Sequence, residues 1–257
     1  MLLLHSLAAH LHWWDWAAPF WAARRRVVAL DFRGHGASAH ATPPAYGFEE
    51  HARDVEGVLS ALGLGPGVLV GHSMGAYVGA VVAARRPDLV GALVIADMLS
   101  AWTPEQAAAA GRQAARPPVD FATRAEAGAR FRLQPPDTTA TPEMLRHLGE
   151  SGVREVAPGA WRLAFDRGVF GHPPVDPWPV LPGLRCPTLV LHGEGSRVMD
   201  RVAAERVGAA IPRATVVTLP GAFHHLGLDQ PASFAETVDE WLTTISSRTR
   251  AARSGGG

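Results

Sequence analysis

Short apolar runs alternate with helical spacings along most of this chain, and few architectures accept that alternation. Residues 2–5 and 27–31 form the first two runs, and 68–71 the third. Segments 89–97, 184–192 and 214–219 hold three more. After the second run, Phe48, Ala52, Val55, Val58, Leu59 and Leu62 recur on one helical face. Helical patterns also span 76–86, 198–211 and 231–245. Apolar runs joined by crossover helices predict an α/β fold built on a mostly parallel, doubly wound sheet.

Residues 99–182 break the rhythm. Helix-prone pieces at 104–115, 124–132 and 142–156 are separated by proline pairs at 117–118 and 135–136, with no strand of comparable quality. A structureless loop of this length is uncommon inside a compact domain, so the stretch is read as an α-helical cap inserted between the fourth and fifth strands. The core is then 1–98 plus 183–246. The final 247–257, ending in three glycines, is expected to be a disordered tail.

Composition narrows the function. The formal net charge is zero, which gives no overall pull toward nucleic acid or an anionic membrane. A small-molecule substrate is the expected partner, and oligomeric state is left open. The chain has no lysine, so all 24 basic residues are arginine, and Schiff-base and P-loop lysine chemistry are excluded. With abundant Ala, Gly and Pro, this suggests a GC-rich bacterial coding sequence. One cysteine, Cys186, cannot close an internal disulfide, and a reducing cytoplasm fits. The apolar start lacks a basic leader region and runs into His10, His12 and Trp13, which argues against a signal peptide. The His10–His12 pair has no matching acid or cysteine nearby in sequence, so neither metal nor organic cofactor is expected. No G-x-G-x-x-G follows the first run, which removes a dinucleotide-binding reading.

The third run passes directly into Gly71-His72-Ser73-Met74-Gly75, and a small-residue helix follows. This is G-x-S-x-G between a strand and a helix, the setting of a nucleophile elbow. The tight turn lifts the Ser73 hydroxyl above the sheet, while flanking glycines avoid clashes with neighbouring chain. The residue after such a serine supplies one oxyanion donor, here the Met74 N–H. An ordinary turn serine is the alternative, and the flanking elements weigh against it.

Taken together, the HS-containing first run, DFRGHGAS at 31–38, GHSMGA at 71–76 and GAFHHLGLDQP at 221–231 resemble the α/β-hydrolase superfamily. The similarity runs from Leu2 to Leu242. It is nearest the single-cap branch of small esterases, enol-lactone hydrolases and ring-cleavage-product hydrolases. The resemblance implies a serine hydrolase that cleaves a small ester or lactone through an acyl-enzyme. It implies His224 as general base, in a frame with Gly221, Asp229 and Pro231, and His225 at the pocket wall. It places the second oxyanion donor at Leu7, after His5-Ser6. It also implies an antiparallel hairpin before the first strand, which this sequence lacks, leaving a sheet edge uncovered.

The acid departs from the pattern. Relatives place it in G-x-x-D after the fifth strand, where this chain reads Gly193-Glu194-Gly195-Ser196. Some relatives carry it at the tip of the fourth strand, which makes Asp97 the best replacement. A helix N-cap is the bland role for Asp97. Glu194, Asp200 and an incomplete triad stay open. Trp102 and one of Trp13 and Trp14 are pocket candidates, although core packing explains most of the tryptophans equally well. A serine nucleophile argues against the epoxide hydrolases and dehalogenases of this fold. Carbon–carbon or thioester hydrolysis, a perhydrolase side activity, and a non-catalytic ligand-binding protein remain the alternatives.

Overall fold

The computed structural model describes residues 1–254, with side chains through 247. Among these residues the strands are β1 (Leu2–Leu4), β2 (Val28–Leu30), β3 (Gly67–His72), β4 (Val90–Ala96), β5 (Val153–Ala157), β6 (Ala160–Leu163), β7 (Thr188–Gly193) and β8 (Ala214–Leu219). Six of them form one sheet in the order β2-β1-β3-β4-β7-β8, and every neighbouring pair is parallel. The expected α/β architecture is therefore present. All six strands end at the same edge. The chain leaves β1 toward β2 and returns to β3 on the other side, so the switch point of the sheet lies between β1 and β3. Ligands of open parallel sheets bind in that crevice.

Side chains alternate across the sheet and build two apolar layers. Leu2, Leu4, Leu69, Leu93, Ile95 and Val190 face one way, against Val55 and Leu59 of the helix Phe48–Ala61, Val78 of Met74–Arg85 and Val207 of Arg201–Ala209. Leu3, Val70, Val94 and Leu191 face the other, against Trp14, Trp21 and Phe234. The helix after β3 is rich in glycine and alanine, and this lets it lie close to the sheet. A Cβ on Gly75 would collide with the carbonyls of Leu4 and His5.

The inserted segment differs from its expected form in two of its helices and in a hairpin. Its helices are Pro104–Ala114, Arg124–Gly128 and Pro142–Ser151, the first two opened by reciprocal capping boxes, Thr103 with Gln106 and Thr123 with Glu126. The third was expected to run to 156 but stops before Gly152. Antiparallel β5 and β6 follow, joined through Pro158 and Gly159, with Gly159 at φ +73. Proline then a positive-φ glycine is the chemistry of a type II turn, which a continuous helix cannot contain. The second helix is also shorter than expected. It ends where Gly128 and Gly149 meet backbone to backbone, and i→i+3 bonds at Arg130 and Phe131 close it.

The last helix, Pro231–Ser254, runs into the expected tail. Residues 247–254 contain no Gly or Pro and include three Arg and two Ala, good helix formers, so helical backbone replaces disorder there. The remainder of that expectation, 255–257, lies outside the described residues. No helix among the described residues is long and apolar enough to cross a membrane.

Candidate active site

Ser73 sits between β3 and its helix at φ +53, ψ −114, a conformation an L-residue adopts only under strain. The turn is forced by its neighbours, because a Cβ on Gly71 would strike the backbone of Gly75 and Ala76. Ser73 N–H bonds to the Ala96 carbonyl at 2.9 Å, which ties the elbow to β4. Met74 opens the helix, so its N–H is among those left without an intrahelical acceptor.

Three non-glycine residues of the described chain have positive φ: Ala8 (+55), Ser73 (+53) and Asp97 (+48). All three follow strands at the same sheet edge. Backbone strain of about 1–3 kcal/mol each persists only where surrounding structure holds it, and it clusters at functional sites.

Asp97 is fully buried at the tip of β4. His224 Nδ1 donates to its Oδ1 at 2.7 Å and Ser196 Oγ donates to the same oxygen at 2.8 Å, while Gly193 N–H donates to Oδ2 at 3.1 Å. Burial pushes the Asp97 carboxyl up to about 7, against the pull of Gly193 and Ser196. Burial, helped by His225, pushes His224 down to about 3. The imidazole is thus held neutral at pH 7, with Nδ1 fixed as donor and Nε2 left bare. The ring and the carboxyl share one proton across a single bond and titrate as a pair. His72 Nε2 donates to the His224 carbonyl at 2.8 Å and braces the loop of that histidine.

Ser73 and His224 line the same cavity, of about 440 Å³, without a direct hydrogen bond between them, a looseness common in apo catalytic pairs. The loop after β1, including Leu7, lines it too. Ala8 N–H in that loop donates to His35 Nε2 at 3.1 Å, and His35 Nδ1 donates to the Arg33 carbonyl at 3.0 Å. His5 plays the same double part, donating from Nδ1 to the Ser6 carbonyl and accepting Phe32 N–H at Nε2. Only a neutral ring can do both, and burial holds His35 at about 3 and His5 well below the usual range. This gives the DFRGHG segment a physical role: it hangs the β1 loop in place.

The other acid candidates are engaged elsewhere. Glu194 accepts Gly221 N–H, and Asp200 caps the helix Arg201–Ala209 through Ala203 N–H. Trp102 and Trp13 both line the cavity. Trp14 instead stacks on Phe234 in the core. Trp13 lies parallel to His72 with ring centroids 5.1 Å apart. Buried Trp13 Nε1 and His225 Nδ1 have no hydrogen-bond partner among the described residues. His225 Nε2 donates to the Pro135 carbonyl at 2.7 Å. Asp229 receives Thr138 Oγ1 and Thr139 N–H from the inserted segment and Phe223 N–H from the base's own loop.

Two groups of residues have metal-ligand character. His72, His224 and His225 offer nitrogens within 4.8 Å of one another, but three of their six ring nitrogens already hold the bonds described above. The second corrects the reading of His12. Asp15 accepts from His12 Nδ1 at 2.9 Å and from His147 Nε2 at 2.7 Å, so an acid and a second histidine do stand beside it. The tertiary fold brings His147 there from 135 positions away, and sequence proximity gave no sign of it.

The cavity also holds residues that the sequence reading did not single out, His35 behind the β1 loop aside. Arg116, Arg130, Arg132 and Arg167 line it, all from the inserted segment. Arginine is spread so evenly along this chain that no local pattern marks these four.

The family described as alpha/beta hydrolase fold matches residues 1–231. The sn-1-specific diacylglycerol lipase ABHD11 of Mus musculus is 30% identical over 231 residues, spanning 85% of this chain and 72% of that protein. The 2-(acetamidomethylene)succinate hydrolase of Mesorhizobium japonicum is 27% identical over 266 residues, spanning 94% of this chain and 87% of that one. The crystal structure of E-2-(acetamidomethylene)succinate hydrolase has the same fold, with a TM-score of 0.82 at 24% identity over 95% of this chain and 91% of its own.

Proposed function

Because the chain belongs to the α/β-hydrolase fold family, we propose that it is a serine hydrolase that cleaves a small ester or lactone through an acyl-enzyme. One observation carries this reading. A buried His224–Asp97 hydrogen bond of 2.7 Å opens on the same cavity as Ser73, which stands on a strained strand-to-helix turn.

Ser73 Oγ attacks the substrate carbonyl carbon, and His224 Nε2 takes the hydroxyl proton. Asp97 holds the ring through Nδ1 and stabilises the imidazolium that forms. The oxyanion is met by the N–H groups of Leu7 and Met74. As the tetrahedral centre collapses, the leaving oxygen takes the proton from His224. Water then attacks the acyl carbon as His224 takes its proton, and the proton passes from His224 to Ser73 Oγ as the bond to the acyl group breaks and the acid leaves.

Two of the relatives are named as a diacylglycerol lipase and a 2-(acetamidomethylene)succinate hydrolase. They support bond hydrolysis and leave the substrate to the cavity. A fluorophosphonate probe with intact-mass detection tests the reading. Wild type gains one adduct, and Ser73→Ala and His224→Ala gain none or far less. Absence of labelling in the wild type moves the chain to the non-catalytic ligand-binding class.

A further inference from the structure

The cavity that holds Ser73 and His224 is lined by apolar side chains such as Trp13, Met98 and Leu99 and by four arginines of the inserted segment, Arg116, Arg130, Arg132 and Arg167. No Asp or Glu lines it. None of the four arginines has an ion-pair partner among the described residues, while ten others do. For a chain whose formal charge sums to zero, this is a local excess of cation placed where a substrate must sit.

Two of the four also rest on aromatic rings, Arg167 half-buried and Arg130 exposed. Half-buried Arg167 donates from Nη1 to Gln113 Oε1 at 3.2 Å, and its guanidinium lies 5.7 Å from the Phe165 ring centroid. The Arg130 guanidinium lies 5.8 Å from the Phe121 centroid. Both also line the adjoining cavity, whose one carboxylate, Asp166, is already taken by Tyr46 Oη at 2.7 Å and Gly168 N–H at 2.8 Å. A guanidinium braced on an aromatic face keeps most of its five N–H donors free, in a fork that matches a carboxylate.

We propose that Arg130 and Arg167 form an anion subsite for a substrate carboxylate, so that the molecule cleaved at Ser73 is a carboxylate-bearing acyl compound, such as a half-ester of a dicarboxylic acid, and not a neutral lipid ester. The proposal rests on the serine-hydrolase reading for its chemistry and on the arginines for its selectivity. Arg116 and Arg132 add background positive charge. Arg132 already donates to the Ala129 and Phe131 carbonyls.

The test pairs p-nitrophenyl hemisuccinate with p-nitrophenyl 4-methylpentanoate, which replaces the carboxylate by an isopropyl group of the same shape. Wild type should prefer the hemisuccinate in kcat/KM by about tenfold or more, the scale of one charge-assisted bidentate pair. That ratio should fall at least about fivefold in Arg130→Gln and in Arg167→Gln, and should fall in wild type as NaCl is raised. A wild-type ratio of one or less, or a ratio unmoved by both substitutions and by salt, overturns the subsite. Calorimetric titration of succinate into wild type and the double variant Arg130→Gln/Arg167→Gln reads the subsite without catalysis. If neither ester is hydrolysed but succinate binds in an arginine-dependent way, the hydrolase reading fails and the anion site stands. If esters are hydrolysed and succinate binding does not depend on the arginines, the reverse holds.

Discussion

The Ser196 hydroxyl donates to the Asp97 carboxylate at 2.8 Å, joining the β7 loop to the tip of β4 across 99 positions of sequence. Ser196 occupies the place where relatives were expected to carry the acid, and it supports the carboxylate that meets His224. Its Oγ also accepts Val198 and Met199 N–H, which fixes the loop after β7.

Asp97→Asn should lower kcat by about 10⁴ with little change in KM, the usual result of disorienting a triad histidine. Ser196→Ala removes one of three donors to the carboxylate and should cost no more than about tenfold. Steady-state kinetics on one chromogenic ester compares them. Equal, small losses from both would discard Asp97 as the acid.

Activity should report the titration of the buried pair. His224, the proposed base, is lowered by burial while Asp97 beside it is raised to about 7, so the pair takes up its first proton near pH 7 and the acid limb of kcat/KM should follow that uptake. In Asp97→Asn that limb should move or vanish, and an acid limb identical in wild type and variant would remove Asp97 from the pair.

Stability should fall in the same direction. His5, His35, His51 and His72 are buried with lowered pKa values, at about 3 for His35 and about 4 for His51. Their contribution is complete above the unfolded value near 6.5. Below it the unfolded chain takes up protons that the folded chain refuses. Each such histidine removes about 1.4 kcal/mol per pH unit across that window. Asp97, raised to about 7, opposes them with a single proton over pH 4 to 7. Urea unfolding at pH 7.5, 6.0 and 5.0 should show midpoints that drop steadily.

Gly75 and Gly57 should respond oppositely to alanine. A methyl on Gly75 drives into the Leu4 and His5 carbonyls, whereas one on Gly57 of the helix Phe48–Ala61 meets open space. Gly75→Ala should destabilise by about 2–3 kcal/mol. Gly57→Ala should stabilise by about 0.5–1 kcal/mol, because alanine gives up less backbone entropy on folding. Denaturant titration of both resolves the sign.

Relief of strain should register at Ala8. At φ +55 an L-residue costs about 1–2 kcal/mol, and glycine forfeits about half of the gain in entropy. Ala8→Gly should therefore raise stability by about 0.5–1 kcal/mol, read as a higher thermal midpoint.

The middle of the sheet was legible because both its faces are buried there, which writes β1, β4 and β7 as short, mostly apolar runs. The elbow was legible because close approach of backbone demands Gly71 and Gly75 on either side of Ser73. The β5–β6 hairpin was missed although Pro158-Gly159 is a turn signal, because a helical spacing running on from Pro142 masked it. Helix ends at Gly128 and Gly152 depend on contacts with other segments, which local pattern does not contain. Asp97 as the partner of His224 rested on resemblance, since an aspartate after a strand reads equally as a cap. The cap arginines were invisible for a different reason: what sets them apart is that they line one cavity in which no Asp or Glu stands, and only three dimensions reveal that company.

Pro135, Thr138 and Thr139 belong to the inserted segment, yet their bonds go to His225 and Asp229, just after His224 in the chain. The inserted segment is therefore fastened at two points to the stretch that holds His224, and a substitution that frees residues 135–139 should be felt at that histidine as well as in the cavity wall.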